Sequence, residues 1–151
     1  MKGNGEFDIL LVDDSADDAF FVRKALEKAR MGKSCKWVED GDEAIKYLRG
    51  EGKYTNRREF PFPTVILSDL KMPRMSGFEL LRWVREHPEC AVIPTILFTS
   101  SAVVEDVVEA YRLGANAYMV KPSQPEEFVD ILRVTCDYWT RCEKPPPLHK
   151  C

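Results

Sequence analysis

Four aspartates follow one short apolar segment near the start of the chain. The segment "FDILLV", residues 7–12, runs into Asp13 and Asp14, and Asp17 and Asp18 follow after two intervening residues. Carboxylates this close repel one another at neutral pH unless a cation, a helix terminus or water stabilises their charge. The cluster therefore fits a metal site, the start of a helix, or a combination of the two.

Three more apolar segments end in side chains that could take part in a reaction. They are "TVILSD" ending at Asp69, "PTILFTS" ending at Thr99 and Ser100, and "NAYMVKP" containing Lys121 and Pro122. In an open parallel α/β sheet, ligands bind beyond the carboxyl ends of the strands. We therefore expect these groups to meet Asp13 and Asp14 at one edge of a sheet.

These side chains together favour one kind of chemistry. Adjacent carboxylates with spare positions for water suit Mg²⁺, which prefers hard oxygen ligands. Beside such a cation, one carboxylate can act as nucleophile towards a phosphoryl group. The cation and an ammonium then neutralise the transferring oxygens, and a hydroxyl donates a hydrogen bond to one of them. The set predicts Mg²⁺-dependent phosphoryl transfer to a carboxylate.

The elements that must position these groups follow from the alternation of apolar segments with helical periodicity. A further short apolar segment, "CKWVE", lies at 35–39, and the helices are predicted at about 15–30, 41–50, 77–87, 102–113 and 125–143. Alternating strands and helices imply parallel pairing, because a parallel connection needs a crossover of about a dozen residues. The sequence therefore predicts an α/β domain of the (βα)5 type over 1–143, followed by an extended or disordered tail over 144–151.

Length, charge and composition exclude several classes of protein. The chain has 151 residues and a net charge of -3, so we expect no direct binding of nucleic acid. Its apolar segments are shorter than the roughly 20 residues of a membrane span, and we expect no membrane association. The five cysteines show no CxxC spacing, and the first residues lack a signal-peptide pattern. We therefore expect reduced thiols and a cytoplasmic location.

The motifs resemble those of one family over about residues 7–140. "LLVDD", "LSDLKMPRMSGFELL", "ILFTSS" and "GANAYMVKP" are similar to the receiver domain of two-component response regulators. This resemblance implies a flavodoxin-like, doubly wound parallel sheet with strand order 2-1-3-4-5, in a three-layer sandwich with five helices. It also implies a signalling phosphoacceptor that catalyses only its own phosphorylation and dephosphorylation.

The resemblance assigns a role to each residue of the set. Asp69 is implied as the phosphoacceptor, with Thr99 contacting and Lys121 pairing with the phosphoryl group. The implied ligands of Mg²⁺ are Asp13, Asp14, Asp69 and the backbone carbonyl of Lys71. The bond between Lys121 and Pro122 is expected to be cis.

The family also switches between two states, and its switch residues match this sequence. Thr99 and Tyr118 stand at the implied switch positions, and their movement would repack the face made by the fourth helix, fifth strand and fifth helix. Lys71 and Ser101 occupy the positions that tune the lifetime of the phosphoryl group.

The likeness is strongest to stand-alone receivers resembling the partners of bacterial phytochrome kinases. It implies a sensor histidine kinase or a histidine phosphotransfer protein as partner, and a signal that leaves by surface contact. Pairing of two copies through the switching face is a further expectation. The side chains that would supply that surface are Val104, Val107, Val108, Tyr111, Tyr138 and Trp139.

Two alternatives compete with a phosphoacceptor. A binding module with a vestigial site would recognise a partner without phosphorylation, although none of the needed residues is missing. A phosphatase of the haloacid dehalogenase type would need a general acid two residues after Asp69, where Lys71 stands.

The four aspartates of the opening cluster divide into two pairs. Ser15 is the expected N-cap of the first helix, so Asp17 and Asp18 are expected to begin that helix. Asp18 would close a capping box rather than bind metal.

Overall fold

The computed structural model describes residues 7–29, 34–146 and 150–151. Five parallel strands form one sheet in the order β2-β1-β3-β4-β5, as expected. The strands are β1 (Asp8–Val12), β2 (Ser34–Val38), β3 (Val65–Ser68), β4 (Thr95–Thr99) and β5 (Ala117–Val120). The helices are α1 (Ala16–Lys28), α2 (Gly41–Arg49), α3 (Gly77–Glu86), α4 (Val104–Arg112) and α5 (Glu127–Arg141). None of the helices in the described ranges is long and apolar enough to span a bilayer.

The sheet is buried on both faces, which gives three layers. Successive strand residues point to opposite faces, so Leu11 packs in a core with Val22 of α1 and Leu132 of α5. Leu10 packs in a second core with Leu48 of α2 and Leu80 of α3. The continuously apolar sequences of β1, β3 and β4 are explained by this burial, because both sides of these strands need apolar groups.

Parallel pairing brings the strand ends to one edge of the sheet. Val12 pairs with Ser68, so Asp13 and Asp69 follow as neighbours. The Asp69 N–H donates to the Val12 carbonyl at 2.8 Å, and the Lys121 N–H donates to the Thr99 carbonyl at 2.7 Å. The polar groups predicted to meet therefore leave the sheet side by side.

The long polar connection before β3 is anchored to the sheet rather than loose. It contains a short 3₁₀ helix, Gly52–Thr55, and the rings of Tyr54 and Phe60 pack on Tyr47 of α2. The Arg57 guanidinium donates to the Tyr47 carbonyl at 2.8 Å and to the Leu48 carbonyl at 3.1 Å. These bonds satisfy carbonyls that the end of a helix leaves without intrahelical partners.

The expectation that all cysteines carry free thiols is wrong for one pair. Cys90, fully buried after α3, forms a disulfide with Cys151, with their Cα atoms 5.4 Å apart. The Cys151 N–H donates to the Leu48 carbonyl at 3.1 Å, which holds the last residue near α2. Residues 144–146 and 150–151 form neither helix nor strand, and residues 147–149 lie outside the described part, so the predicted tail is only partly described.

Candidate functional site

The ammonium of Lys121 is the centre of the site. Its Nζ donates to Oδ2 of Asp13 at 2.7 Å, to Oδ2 of Asp18 at 2.7 Å and to Oδ2 of Asp69 at 3.1 Å. Only 4% of the lysine side chain is exposed. Because an ammonium has three N–H donors, a set of three carboxylates can engage all of them.

Asp13 is held by groups from two other elements, the start of α1 and strand β2. The Ser15 N–H donates to its Oδ1 at 2.9 Å, and the Trp37 indole N–H donates to its backbone carbonyl at 2.7 Å. Its own N–H donates to the Val38 carbonyl at 3.1 Å. These bonds fix the position of the carboxylate at the end of β1.

Burial and neighbouring charges shift the pKa values of Asp13 and Lys121 in opposite directions. Burial raises the pKa of Asp13 to about 6, and the hydrogen bonds from Lys121 and the Ser15 N–H offset only part of this rise. Burial by itself would lower the pKa of Lys121, but the carboxylates of Asp13 and Asp18 raise it above its ordinary value. The lysine therefore stays charged, while Asp13 keeps its charge at the cost of desolvation.

Three carboxylates at this edge fit a hard divalent cation. Oxygen atoms of Asp13, Asp14 and Asp69 all lie within 4.8 Å of one another. Asp14 is exposed and Asp69 is half-buried, which leaves the group open to water on one side. An all-oxygen set of this kind suits Mg²⁺, which keeps several of its waters when it binds to protein carboxylates.

Asp69 is fixed by the loop between β3 and α3 while its carboxylate faces a cleft. The Leu70 N–H donates to its Oδ1 at 2.7 Å. The Gly77 N–H donates to the Leu70 carbonyl at 2.7 Å, and a Cβ at Gly77 would overlap the Asp69 carbonyl oxygen. Glycine is therefore needed here for α3 to begin against the strand end.

The cleft beside Asp69 has a volume of about 480 Å³ and is lined partly by the other predicted site residues. Thr99, Lys71 and Ser101 line it together with Asp18 and Lys121. Lys71 is exposed and Thr99 is buried at the end of β4. The structure thus brings the predicted set to one place, while the metal-binding and lifetime roles assigned to these residues stay predictions.

Tyr118 is connected to the loop that follows Thr99. Its hydroxyl donates to the Ser101 carbonyl at 2.9 Å, and the Ser101 N–H donates to the Thr99 hydroxyl at 3.4 Å. Burial raises the pKa of Tyr118, so its phenol stays neutral at physiological pH. One residue, Ser101, therefore lies between the two predicted switch residues.

The expected cis bond before Pro122 is not found. No peptide bond among the described residues is cis, so the Lys121–Pro122 bond is trans. The trans form is favoured by roughly 0.5–1 kcal/mol even before proline. No cis bond is needed to direct the lysine, because its Nζ is already held by three carboxylates.

Asp18 is the site residue that the sequence did not reveal. Ser15 caps α1 as expected, accepting from the Asp18 N–H at 3.1 Å. The other half of the expected capping box is absent, because the Ser15 N–H donates to Asp13 and the Asp18 carboxylate binds Lys121. The prediction that Asp18 only begins a helix is therefore wrong, whereas Asp17 is exposed and does belong to the first turn. No local spacing identifies Lys121, 103 residues further along the chain, as the partner of Asp18.

A parallel 2-1-3-4-5 sheet with three aspartates, a threonine and a lysine at its carboxyl edge defines a class of signalling domain. The sequence model of the response regulator receiver domain matches residues 9–133. The chain belongs to this family and has its CheY-like, flavodoxin-like fold.

Several relatives are stand-alone receivers. The chain is 30% identical over 131 residues to response regulator Rcp1 of Synechocystis sp., covering 87% of each sequence. It is similar to the phosphorylated cyanobacterial phytochrome response regulator RcpA, with a TM-score of 0.85, 29% identity, and coverage of 93% of this chain and 99% of that one. A structure of Rcp1 with Mn²⁺ bound aligns with a TM-score of 0.80 and 29% identity, over 91% of this chain and 97% of that one.

If Asp13, Asp14 and Asp69 bind Mg²⁺ together, removing one of these carboxylates should lower the affinity for the ion. We expect Asp14→Asn to weaken Mg²⁺ binding about tenfold or more, because it removes one anionic donor from the group. Asp14 is exposed, so the fold should be unaffected. Calorimetric titration measures the affinity, and fluorescence of Trp37, whose indole contacts Asp13, provides a second signal.

The matched control is Asp17→Asn, which removes the same charge from an exposed position three residues away. We expect it to change the affinity less than twofold. Equal losses in both variants would indicate a general charge effect and would contradict a site made of Asp13, Asp14 and Asp69.

Proposed function

We propose that this chain is a response regulator that accepts a phosphoryl group on Asp69 from a phosphohistidine donor in a Mg²⁺-dependent reaction. The observation that supports the proposal most is the convergence on one ammonium, Lys121, of the carboxylates of Asp13 and Asp69. A nucleophilic carboxylate, a fixed cation and a neighbouring hydroxyl are the groups that phosphoryl transfer requires.

Each residue has a role in the proposed reaction. Asp13, Asp14, Asp69 and the backbone carbonyl of Lys71 would hold Mg²⁺, which supplies positive charge to the transferring oxygens when it is bound. An oxygen of Asp69 attacks phosphorus, and the bond from phosphorus to the donor imidazole nitrogen breaks with its electrons leaving on nitrogen. Lys121 stabilises the phosphoryl oxygens, and the Thr99 hydroxyl donates a hydrogen bond to one of them.

The switch to a signalling state would start from Thr99. If its hydroxyl turns towards the phosphoryl group, the loop that carries Ser101 moves with it. The bond from the Tyr118 hydroxyl to the Ser101 carbonyl then breaks, and Tyr118 turns inward. This movement would change the face formed by α4, β5 and α5. Lys71 and Ser101 line the cleft, and from there they would tune the lifetime of the phosphoryl group.

The partner we propose is a sensor histidine kinase or a histidine phosphotransfer protein, which would place the chain in the cytoplasm. A second copy of the chain is a further candidate for the α4-β5-α5 face. Val104, Tyr111 and Tyr138 are each at least half exposed there, whereas Trp139 packs partly on the core. We propose no direct contact of this chain with nucleic acid.

A phosphorylation-independent binding module is the alternative, and one experiment separates the two functions. The protein is incubated with acetyl phosphate and Mg²⁺, and intact mass is measured before and after. We expect the mass to increase by one phosphoryl group, with loss of the label when the acyl phosphate is hydrolysed. Chelation of Mg²⁺ should prevent labelling. A protein that gains no label while it keeps its fold and binds Mg²⁺ would support the binding module instead.

A further inference from the structure

All three donors of the Lys121 ammonium have carboxylate partners within hydrogen-bond distance. In the proposed reaction the same ammonium must also bind an oxygen of the phosphoryl group. Lys121 has no fourth N–H, so one of the three present bonds must be given up before that contact forms. The bond most easily given up can be identified from the surroundings of each carboxylate.

The hydrogen bond from Lys121 to Asp13 is the hardest of the three to break. The Asp13 side chain is 1% exposed, and its other oxygen already accepts the Ser15 N–H. Moving the Asp13 carboxylate away from Lys121 would leave a buried charge without its partner, which is strongly unfavourable. Asp69 keeps its place beside the ammonium because the phosphoryl group is attached to it, and the oxygens of that group would enter the cleft that the Asp18 carboxylate also lines.

Asp18 differs from both in exposure and attachment. Its side chain is 30% exposed and lies in the first turn of α1 at the side of the cleft. The helix start is held by the Asp18 backbone N–H on the Ser15 hydroxyl, so the side chain can rotate to water without loss of that cap. Departure of Asp18 therefore costs least, since water replaces its lost hydrogen bond.

We propose that Asp18 is a positioning residue that competes with the phosphoryl group for Lys121. In the resting state it holds the third donor of the ammonium, and phosphorylation displaces it into solvent. Asp18 then sets how tightly the phosphorylated state is held. This inference rests on the proposed function and adds to it a residue outside the metal ligands and the switch pair.

The test is binding of beryllofluoride, which mimics a phosphoryl group on a carboxylate, at saturating Mg²⁺. We expect Asp18→Ala to bind it about three- to tenfold more tightly than the unaltered protein, because a donor of Lys121 is freed. Asp18→Asn should fall between the two, since its amide oxygen still accepts from the lysine without a charge. The affinities come from calorimetric titration, with melting temperatures to verify the fold.

Asp17→Ala is the matched control, because it removes an exposed carboxylate from the same helical turn. We expect its affinity to stay within twofold of the unaltered protein. Equal gains for Asp17→Ala and Asp18→Ala would attribute the effect to net charge and overturn the competition, as would no gain for Asp18→Ala. If the unaltered protein neither binds beryllofluoride nor takes up a phosphoryl group, the proposed function fails and this inference fails with it.

Discussion

Replacing Asp69 with asparagine is expected to lower phosphoryl incorporation from acetyl phosphate by at least about a thousandfold. The amide has nearly the same shape, so it can still accept the Leu70 N–H that now donates to Oδ1 at 2.7 Å. It lacks the negative charge that makes the carboxylate a nucleophile. The measurement is intact mass after incubation with the donor and Mg²⁺, together with a time course of label uptake.

The control for this variant must remove a carboxylate while leaving the acceptor in place. Asp17→Asn does so at an exposed position in the same part of the molecule, and we expect its labelling rate to stay within twofold. Equal labelling of the Asp69→Asn variant would contradict Asp69 as acceptor. Peptide mapping would then locate the label, with Asp13 and Asp14 as the nearest other carboxylates.

Much of the site could be predicted because parallel strands impose a simple rule. The residues that follow β1, β3, β4 and β5 must lie at one edge of the sheet whatever the details of the loops. The rule predicts the positions of Asp13, Asp69 and Lys121 correctly, because each of them directly follows the last residue of its strand. The order of the strands needed the family resemblance, because alternation alone gives no order.

The contacts that escaped prediction depend on where side chains point rather than on where strands end. Asp18 lies in the first turn of α1, and helical spacing predicts its place on the helix but not a partner 103 residues away. Cys90 and Cys151 are separated by 61 residues, and neither belongs to a spacing motif. Long-range pairs of this kind are determined by the packed fold and leave no local pattern in the sequence.

Removing the charge of Lys121 is expected to lower the free energy of unfolding by roughly 3 kcal/mol at pH 7.5 without Mg²⁺. In Lys121→Met, the buried carboxylate of Asp13 loses the cation bound to it, and the neighbouring charges of Asp18 and Asp69 are no longer compensated by the ammonium. Urea denaturation measures the loss. The control is Lys46→Met, which breaks an exposed pair with Glu43 and should cost less than about 1 kcal/mol.

The loss in Lys121→Met should shrink when pH falls or when Mg²⁺ is added, and this dependence identifies its cause. The pKa of Asp13 is already raised to about 6 in the folded protein, above its ordinary value, so the folded state takes up a proton as pH falls through that range. Without the lysine the pKa rises further, and at pH 5 the buried group is neutral. The deficit is therefore largest above pH 7 and smallest near pH 5. Mg²⁺ should also reduce it, because without the competing ammonium on Asp13 and Asp69 the variant should bind the cation more tightly than the unaltered protein. A ligand that binds only the folded state stabilises it by an amount that grows with the logarithm of its affinity. A deficit that is the same at both pH values, with and without Mg²⁺, would mean that the methionine disturbs packing and that repulsion among the carboxylates is not its cause.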